Sequence, residues 1–443
     1  MDLFSESLKN ISDFLWGTPL LILLLGTGIF LSIKLKFIQL FKFRASFKSL
    51  FSKSDNEGDI SPFQALTTAL AASIGTGNIV GVATAIAAGG PGALFWMWVT
   101  AFFGMATKYA EAVLAIKYRV KKEDGEIAGG PMYYIEKGLG KKWLGKTFAF
   151  FAVIASFGIG NTVQSNSIAD ALNNSFNISP LITGLVIALL TGLVIIGGIK
   201  NIGKVTGVLV PFMAGAYILG CFVILLVNID TLPDAFKLIF SDAFTGSAAA
   251  GGFAGSTVMY AIKSGVARGV FSNEAGLGSA PIAQAAAQTE SPASQGLIAM
   301  LDTFIDTIIV CTFTGLVIIS TGAWSSGLNG AELTSEAFNK GLPGPGGFIV
   351  SFGIIFFAFS TILGWSYYGE KCLEYLFGSK SIKYYRVIFV IAIVIGATAK
   401  LKLVWFLADI MNALMAAPNL IGLIGLSSIV VLETKKYFNK SKL

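Results

Sequence analysis

From residue 14 to residue 432 the chain returns repeatedly to apolar stretches of about 20 residues, the length that carries a helix across a bilayer. Nothing else in the sequence narrows its fold as much. Lipid offers no partner to a bare backbone N–H or C=O, so stretches of this length close their own hydrogen bonds as helices. Composition agrees. Of 443 residues, 54% are hydrophobic and 13% charged, where a soluble chain carries roughly a quarter charged. Mean hydropathy is +0.73. The pattern predicts an all-α integral membrane protein with spans over 14–34, 61–87, 91–117, 147–174, 180–199, 204–227, 246–267, 294–321, 347–371, 383–399 and 403–432, about eleven in all. The first apolar run lacks a basic start and is read as a span, not a cleavable signal.

Several function classes lose their usual parts. There is no histidine, which removes the commonest metal ligand and the commonest general base near neutral pH. Cys221, Cys311 and Cys372 are scattered and suggest neither a disulfide framework nor a metal knuckle. The net charge of +7 sits in short connections and is not a nucleic-acid signal. "GTGNIVG", residues 75–81, lacks the dinucleotide-loop spacing, because Gly81 follows Gly77 by four. The expectation is therefore a non-enzyme with no cofactor and no nucleic-acid partner, working as a monomer in the bilayer.

Charge placement sets topology. The connections after the first, third, fifth, seventh, ninth and eleventh spans are basic, from Lys34, Lys36, Lys42, Arg44, Lys48 and Lys53 at one end to Lys435, Lys436, Lys440 and Lys442 at the other. The alternate connections carry Asp230, Asp234 and Asp242, or Glu332 and Glu336. Lys400 and Lys402 run against the pattern. By the positive-inside rule the N-terminus is outside and the C-terminus cytoplasmic, in a multi-pass protein of the cell membrane.

Spans 2 and 7 share a further feature. Span 2 places Gly75, Gly77 and Gly81 at mid-membrane, and span 7, "SAAAGGFAGSTVMYAIKSG", places Gly251, Gly252 and Gly255 there. The two enter from opposite sides. Glycine-interrupted spans at matching positions of two inverted halves point to a secondary-transporter site. Residues 61–230 and 243–432 then form two inverted five-helix repeats, 1–60 an extra N-terminal helix with its basic linker, and 433–443 a cytoplasmic tail. Close helix packing through small residues, as at Gly77 and Gly81, is the other reading.

"GGPGALFWMWVTAFFG" (89–104), "GVARGVFSNEAGLGSAP" (265–281) and "GTGNIVGVATAIAAGGPGA" (75–93) resemble the signature blocks of the sodium:alanine symporters, the alanine or glycine:cation symporter family. The resemblance covers essentially the whole chain. It implies the leucine-transporter-like fold and alternating-access uptake of alanine or glycine with Na⁺ as coupling ion, or H⁺ in some members. An uncoupled channel is the alternative, distinguished by the absence of gradient-driven accumulation.

A zwitterion at mid-membrane needs donors for its carboxylate and acceptors for its ammonium, and an opened helix supplies both. Candidate substrate contacts are Gly75, Thr76 and Gly77, with Asn78 matching that fold's cation ligand or serving as a packing asparagine. Gln164 shares a helix face with Asn161, three residues earlier. Gly252, Phe253, Ser256 and Met259 are expected to wall the pocket from span 7, and Thr361 and Trp365 from span 9. The resemblance implies a sodium site made of the Ser360 and Thr361 hydroxyls with carbonyls near Ala71 and Ile74. The alternative is that each hydroxyl bonds back to its own helix. Asp302 and Asp306 lie one turn apart inside span 8, where carboxylates are functional by default. They are expected to act in a gate or an ion-pair network with Arg268 or Lys263 more than as ligands. Glu274 joins them in an inner gate or a helix-capping loop. Lys108 and Glu111 are expected to pair with each other.

Overall fold

The computed structural model describes residues 3–51, 57–123, 125–245, 258–289, 291–399 and 402–440. Helices α1 (Leu3–Leu15) and α2 (Thr18–Lys34) make the first span, and short helices α3 (Ile38–Phe41) and α4 (Phe43–Leu50) follow it. Next comes α5 (Pro62–Ser73), which starts where its sequence says it should. Ser61 accepts from the Gln64 N–H, Gln64 Oε1 accepts from the Ser61 N–H, and Pro62 fills the first helical position. After Ser73 the chain opens. Ile74 is extended, a π-helical turn runs over Gly77–Gly81, and α6 (Val82–Gly89) continues at 53° to α5.

Helix α7 (Gly92–Lys117) leads to a two-stranded antiparallel ribbon, β1 (Val120–Lys121) with β2 (Ile127–Ala128), and to α8 (Pro131–Leu139). The fourth span is α9 (Lys142–Phe157), a π turn over Gly158–Thr162, and α10 (Val163–Phe176). Then come α11 (Pro180–Ile195), α12 (Gly198–Val227), α13 (Leu232–Thr245), α14 (Val258–Asn273) and α15 (Ala280–Gln284). The eighth span is α16 (Pro292–Thr303), a π turn over Phe304–Cys311, and α17 (Thr312–Ser320). The chain ends with α18 (Gly330–Gly341), α19 (Gly346–Phe377), α20 (Ser381–Thr398), α21 (Lys402–Gly425) and α22 (Ser427–Lys440).

Among the described residues, eight helical segments are long and apolar enough to cross a membrane, and the bent pair Pro62–Ser73 with Gly77–Gly89 makes a ninth. Helix α11 is apolar but shorter. Leu185 and Leu189 of α11, Val208 and Leu219 of α12, and Ile391 and Ile395 of α20 are exposed, as lipid-facing residues should be. Gly251, Gly252, Phe253, Gly255 and Ser256 of the expected seventh span lie outside the described residues.

Two of the helices that stand where connections were expected, α13 and α18, lie in the acidic ones. In α13, Asp242 is buried and its Oδ2 accepts from the Gly92 N–H at 2.7 Å, satisfying a free donor at the start of α7. In α18, Thr334 Oγ1 donates to the Ile79 carbonyl in the π turn of the second span, at 3.1 Å. Counting acidic residues marks such segments as loops. Their buried faces show only in the packing.

At the basic end the bundle is sealed. The Asp59 and Ile60 N–H groups donate to the Ala286 carbonyl, the Gln288 N–H donates back to Ile60, and the Arg119 guanidinium bridges the carbonyls of Ala285, Ala287 and Glu57. The chain before α5 is thereby tied to the chain after α15.

Candidate functional site

A helix that opens must place its released backbone groups somewhere, and the break after α5 shows where. The N–H groups that would close the ladder onto the Ala71 and Ile74 carbonyls belong to Gly75 and Asn78. The Gly75 N–H bonds instead to Asn78 Oδ1 at 2.9 Å, and the Asn78 N–H to the Gly75 carbonyl at 3.3 Å. Ser360 Oγ and Thr361 Oγ1 lie 3.4 and 3.5 Å from the Ile74 carbonyl oxygen, while each is 2.9 Å from the Phe357 carbonyl. A hydroxyl has one proton, and the shorter contact within α19 is the better bond. Three oxygens therefore converge at Ile74, Ser360 and Thr361 with no proton left to point among them. That arrangement suits a hard monovalent cation.

Beside this point lies a cleft of about 20 Å³, walled by Gly75, Thr76, Gly77, Gln164, Thr361 and Trp365. Those six sequence candidates meet in one place. Ser73, Ile159, Phe271, Glu274 and Asn412 complete the wall with Ala72. Three buried oxygens on it have no hydrogen-bond partner among the described residues: Thr76 Oγ1, Gln164 Oε1 and Asn412 Oδ1. Among the described residues Glu274 is the one ionisable side chain on the wall. It accepts from Trp365 Nε1 at 2.9 Å and from Ser279 Oγ at 2.5 Å. The volume admits a water but not an amino acid, so loading requires the wall to move. A larger cavity of about 290 Å³ adjoins it, lined by Asp13, Lys263, Arg268 and Asp409 among others. Phe271 borders both, and the Arg268 guanidinium lies 5.5 Å from its ring centre.

Other candidates go elsewhere. Asn78 does not line the cleft; its Nδ2 donates to Asp306 Oδ1 at 2.7 Å and to the Asp306 carbonyl at 3.1 Å. A buried carboxylate needs donors, and Asn78, Ser272 and Thr307 supply them to Asp306. Asn161 donates to the Phe389 carbonyl of α20. Met259 is 63% exposed and no part of the wall. Asp302 pairs with buried Lys108 at 2.7 Å and accepts from Ser73 Oγ at 2.7 Å. Arg268 and Lys263, its expected partners, line the larger cavity instead. The expected Lys108–Glu111 pair gives way as well, because Glu111 accepts from Asn419 Nδ2 and the Gly276 N–H. Asn412 and Asn419 were legible as polar residues inside an apolar span, the same signal that singles out Asn78 and Asn161.

The break, the π turns over Gly77–Gly81 and Phe304–Cys311, and the polar groups they hold form one buried assembly. Its parts suit binding a small charged solute with a cation. Comparison with known proteins agrees. Residues 1–443 match the Sodium:alanine symporter family. The chain is 57% identical to sodium/alanine symporter AgcS of Methanococcus maripaludis, covering 98% of this chain and 97% of that protein. It is 41% identical to a Bacillus subtilis protein named "Probable sodium/glutamine symporter GlnT", covering 97% and 90%. The fold is shared with a Na⁺-coupled sialic acid symporter solved in a substrate-bound outward-open state, at TM-score 0.50 and 13% identity over 91% of this chain and 82% of that one. The protein is thus a multi-pass, Na⁺-coupled membrane transporter and not an enzyme, and the chain belongs to the sodium:alanine symporter family.

Proposed function

We propose that the protein imports alanine and glycine across the cell membrane by alternating access, with Na⁺ bound at Ile74, Ser360, Thr361 and the Ala71 carbonyl. One observation carries this reading. The opened backbone at Gly75–Gly77, the oxygens of Thr76, Gln164 and Asn412 that have no partner among the described residues, and the Glu274 carboxylate all face one small cleft. The Thr76 and Gly77 N–H groups, where the opened chain lines the cleft, receive the substrate carboxylate. Glu274, Gln164 and Asn412 receive the ammonium. A charge left unpaired at this depth costs several kcal/mol, roughly, so both ends of a zwitterion must be met. Trp365 and Phe271 leave little room for a side chain, which favours alanine and glycine over leucine. The name of the 57%-identical relative supports alanine. The N-terminus faces outside and the C-terminus the cytoplasm, on the strength of the basic connections. Residues 61–230 and 243–432 act as the two inverted repeats.

The test is uptake of labelled alanine into proteoliposomes with an inward Na⁺ gradient and with K⁺ in its place, with unlabelled glycine, leucine and glutamine as competitors. Accumulation above equilibrium only with Na⁺, inhibited by glycine and not by leucine, is the expected result. Equilibration without accumulation would mean an uncoupled path. Competition by glutamine stronger than by alanine would move the substrate to the larger amide.

A further inference from the structure

The transport reading leaves a cavity lined by lysines unused. It lies far along the chain from the break, where the end of α2 and helix α3 meet α22, and its volume is about 490 Å³. Lys34, Lys36, Lys42 and Lys435 line it, and among the described residues no acidic side chain does. All four are exposed. Much of the remaining wall is carbon, including Phe41 and Phe438, and Phe41 is 75% exposed. The Lys42 ammonium lies 4.6 Å from the Phe438 ring centre, and Lys34 Nζ donates to Ser427 Oγ at 3.3 Å. The flanking segment has the same mixture, with Leu40, Phe47 and Phe51 exposed among Arg44 and Lys48. Apolar side chains that point outward between lysines, just past the end of a membrane-spanning helix, belong in the headgroup layer of a bilayer.

We propose that this cavity seats an anionic phospholipid. Lys36, Lys42 and Lys435 hold the phosphodiester, and an acyl chain lies along the apolar wall beside Phe41. The charge is complementary, the volume suits a headgroup, and the carbon lining has no use for a soluble anion. The lipid would join two parts of the chain, since Lys435 comes from α22, Lys34 from the last turn of α2, and Lys36 and Lys42 from the segment after it. Helix α22 is in turn anchored to the bundle by the Tyr109–Thr434 hydroxyl contact at 2.7 Å and the Lys117–Glu433 ion pair at 3.0 Å. Thr434 lines the cavity, and Tyr109 is the neighbour of Lys108 in α7. An occupied seat therefore stiffens α22 against the helix that carries the buried ion pair.

The test uses the full chain, delipidated in neutral detergent. Thermal unfolding is followed during titration with phosphatidylglycerol, phosphatidylcholine or soluble glycerol phosphate, and bound lipid is counted by native mass spectrometry. Phosphatidylglycerol alone should raise the melting temperature and remain bound. The Lys36→Gln/Lys42→Gln/Lys435→Gln variant should bind it on the order of 100-fold more weakly, at roughly fivefold per lysine. The Lys204→Gln/Lys380→Gln/Lys383→Gln variant, whose lysines are exposed elsewhere, should match the unmodified chain. An equal shift with phosphatidylcholine, an equal shift with glycerol phosphate, or full binding by the first variant would each overturn the proposal. None of these readouts depends on transport, so the seat and the transport reading fail separately.

Discussion

Glu274 shows how much a single residue can be asked to do. It sits at the end of α14 with φ +57°, a left-handed conformation that glycine adopts freely and glutamate does not. Such strain persists only where surrounding contacts over-determine it, and it clusters at functional sites. Here the contacts are Trp365 Nε1 and Ser279 Oγ, which aim the carboxylate at the cleft. Glu274→Gln keeps the shape and removes the charge. It should raise the KM for alanine roughly 10- to 100-fold, the value of a charge-assisted hydrogen bond, with folded protein still recovered. An unchanged KM would remove Glu274 from the substrate site. Thr361 makes a parallel case for the cation. Thr361→Ser keeps the oxygen beside the Ile74 carbonyl and should keep the Na⁺ dependence of uptake. Thr361→Val removes it and should shift half-saturation by Na⁺ upward about tenfold or more. Equal Na⁺ curves for the two variants would place the ion elsewhere.

Among elements, the second span is the most informative, because its glycines do different jobs. A Cβ on Gly75 would fall 2.5 Å from Thr361 Oγ1, and one on Gly77 would fall 3.1 Å from the Ser272 Cα. A Cβ on Gly81 would meet no described residue within 4 Å. Close packing through both Gly77 and Gly81 is therefore not what the motif is for. Gly75→Ala should abolish Na⁺-driven uptake. Gly81→Ala should leave it intact and add up to about 1 kcal/mol of stability, since alanine suits a helix better. Loss of uptake in both would point back to helix packing. The pairing of α7 with α16 makes a second prediction at this scale. Lys108 and Asp302 are both fully buried at 2.7 Å. Asp302→Asn alone leaves a bare ammonium and should cost roughly 3–5 kcal/mol in thermal unfolding. Lys108→Met together with Asp302→Leu should recover most of it, and no recovery would mean that the pair serves more than charge balance.

At the scale of the molecule, the path from the cleft is tied shut on one side and meets the cavity of about 290 Å³ on the other. The closure is local and specific: three backbone hydrogen bonds between 59–60 and 286–288, and the fork of Arg119. In the alternating-access cycle proposed above, this tie is expected to part when the site faces the other way. Arg119→Ala should speed hydrogen exchange at the Asp59, Ile60 and Gln288 amides while leaving exchange in α7 unchanged. Protection equal to that of the unmodified chain would show that the arginine is not what holds the closure. Phe271, the wall common to both cavities, divides the cleft from the side facing away from this tie.

The sequence by itself determined the membrane fold, most of the spans and the break after α5. Those features depend on residues close together along the chain: apolar runs, the Ser61–Gln64 cap, and glycines where a helix must open. It also brought Gly75, Thr76, Gly77, Gln164, Thr361 and Trp365 within view of one another, through spacing and the family resemblance. Partner choice was left to the tertiary structure. Asp302 finds Lys108 across 194 positions, and Asn78 turns to Asp306 across 228. Helix periodicity says which face a residue occupies but not which other face it meets. The amphipathic α13 and α18, Asn412 on the cleft wall and the outward-turned Met259 follow the same rule. A buried polar group is settled by whatever donor or acceptor the packing brings to it, and that is a property of the assembled bundle.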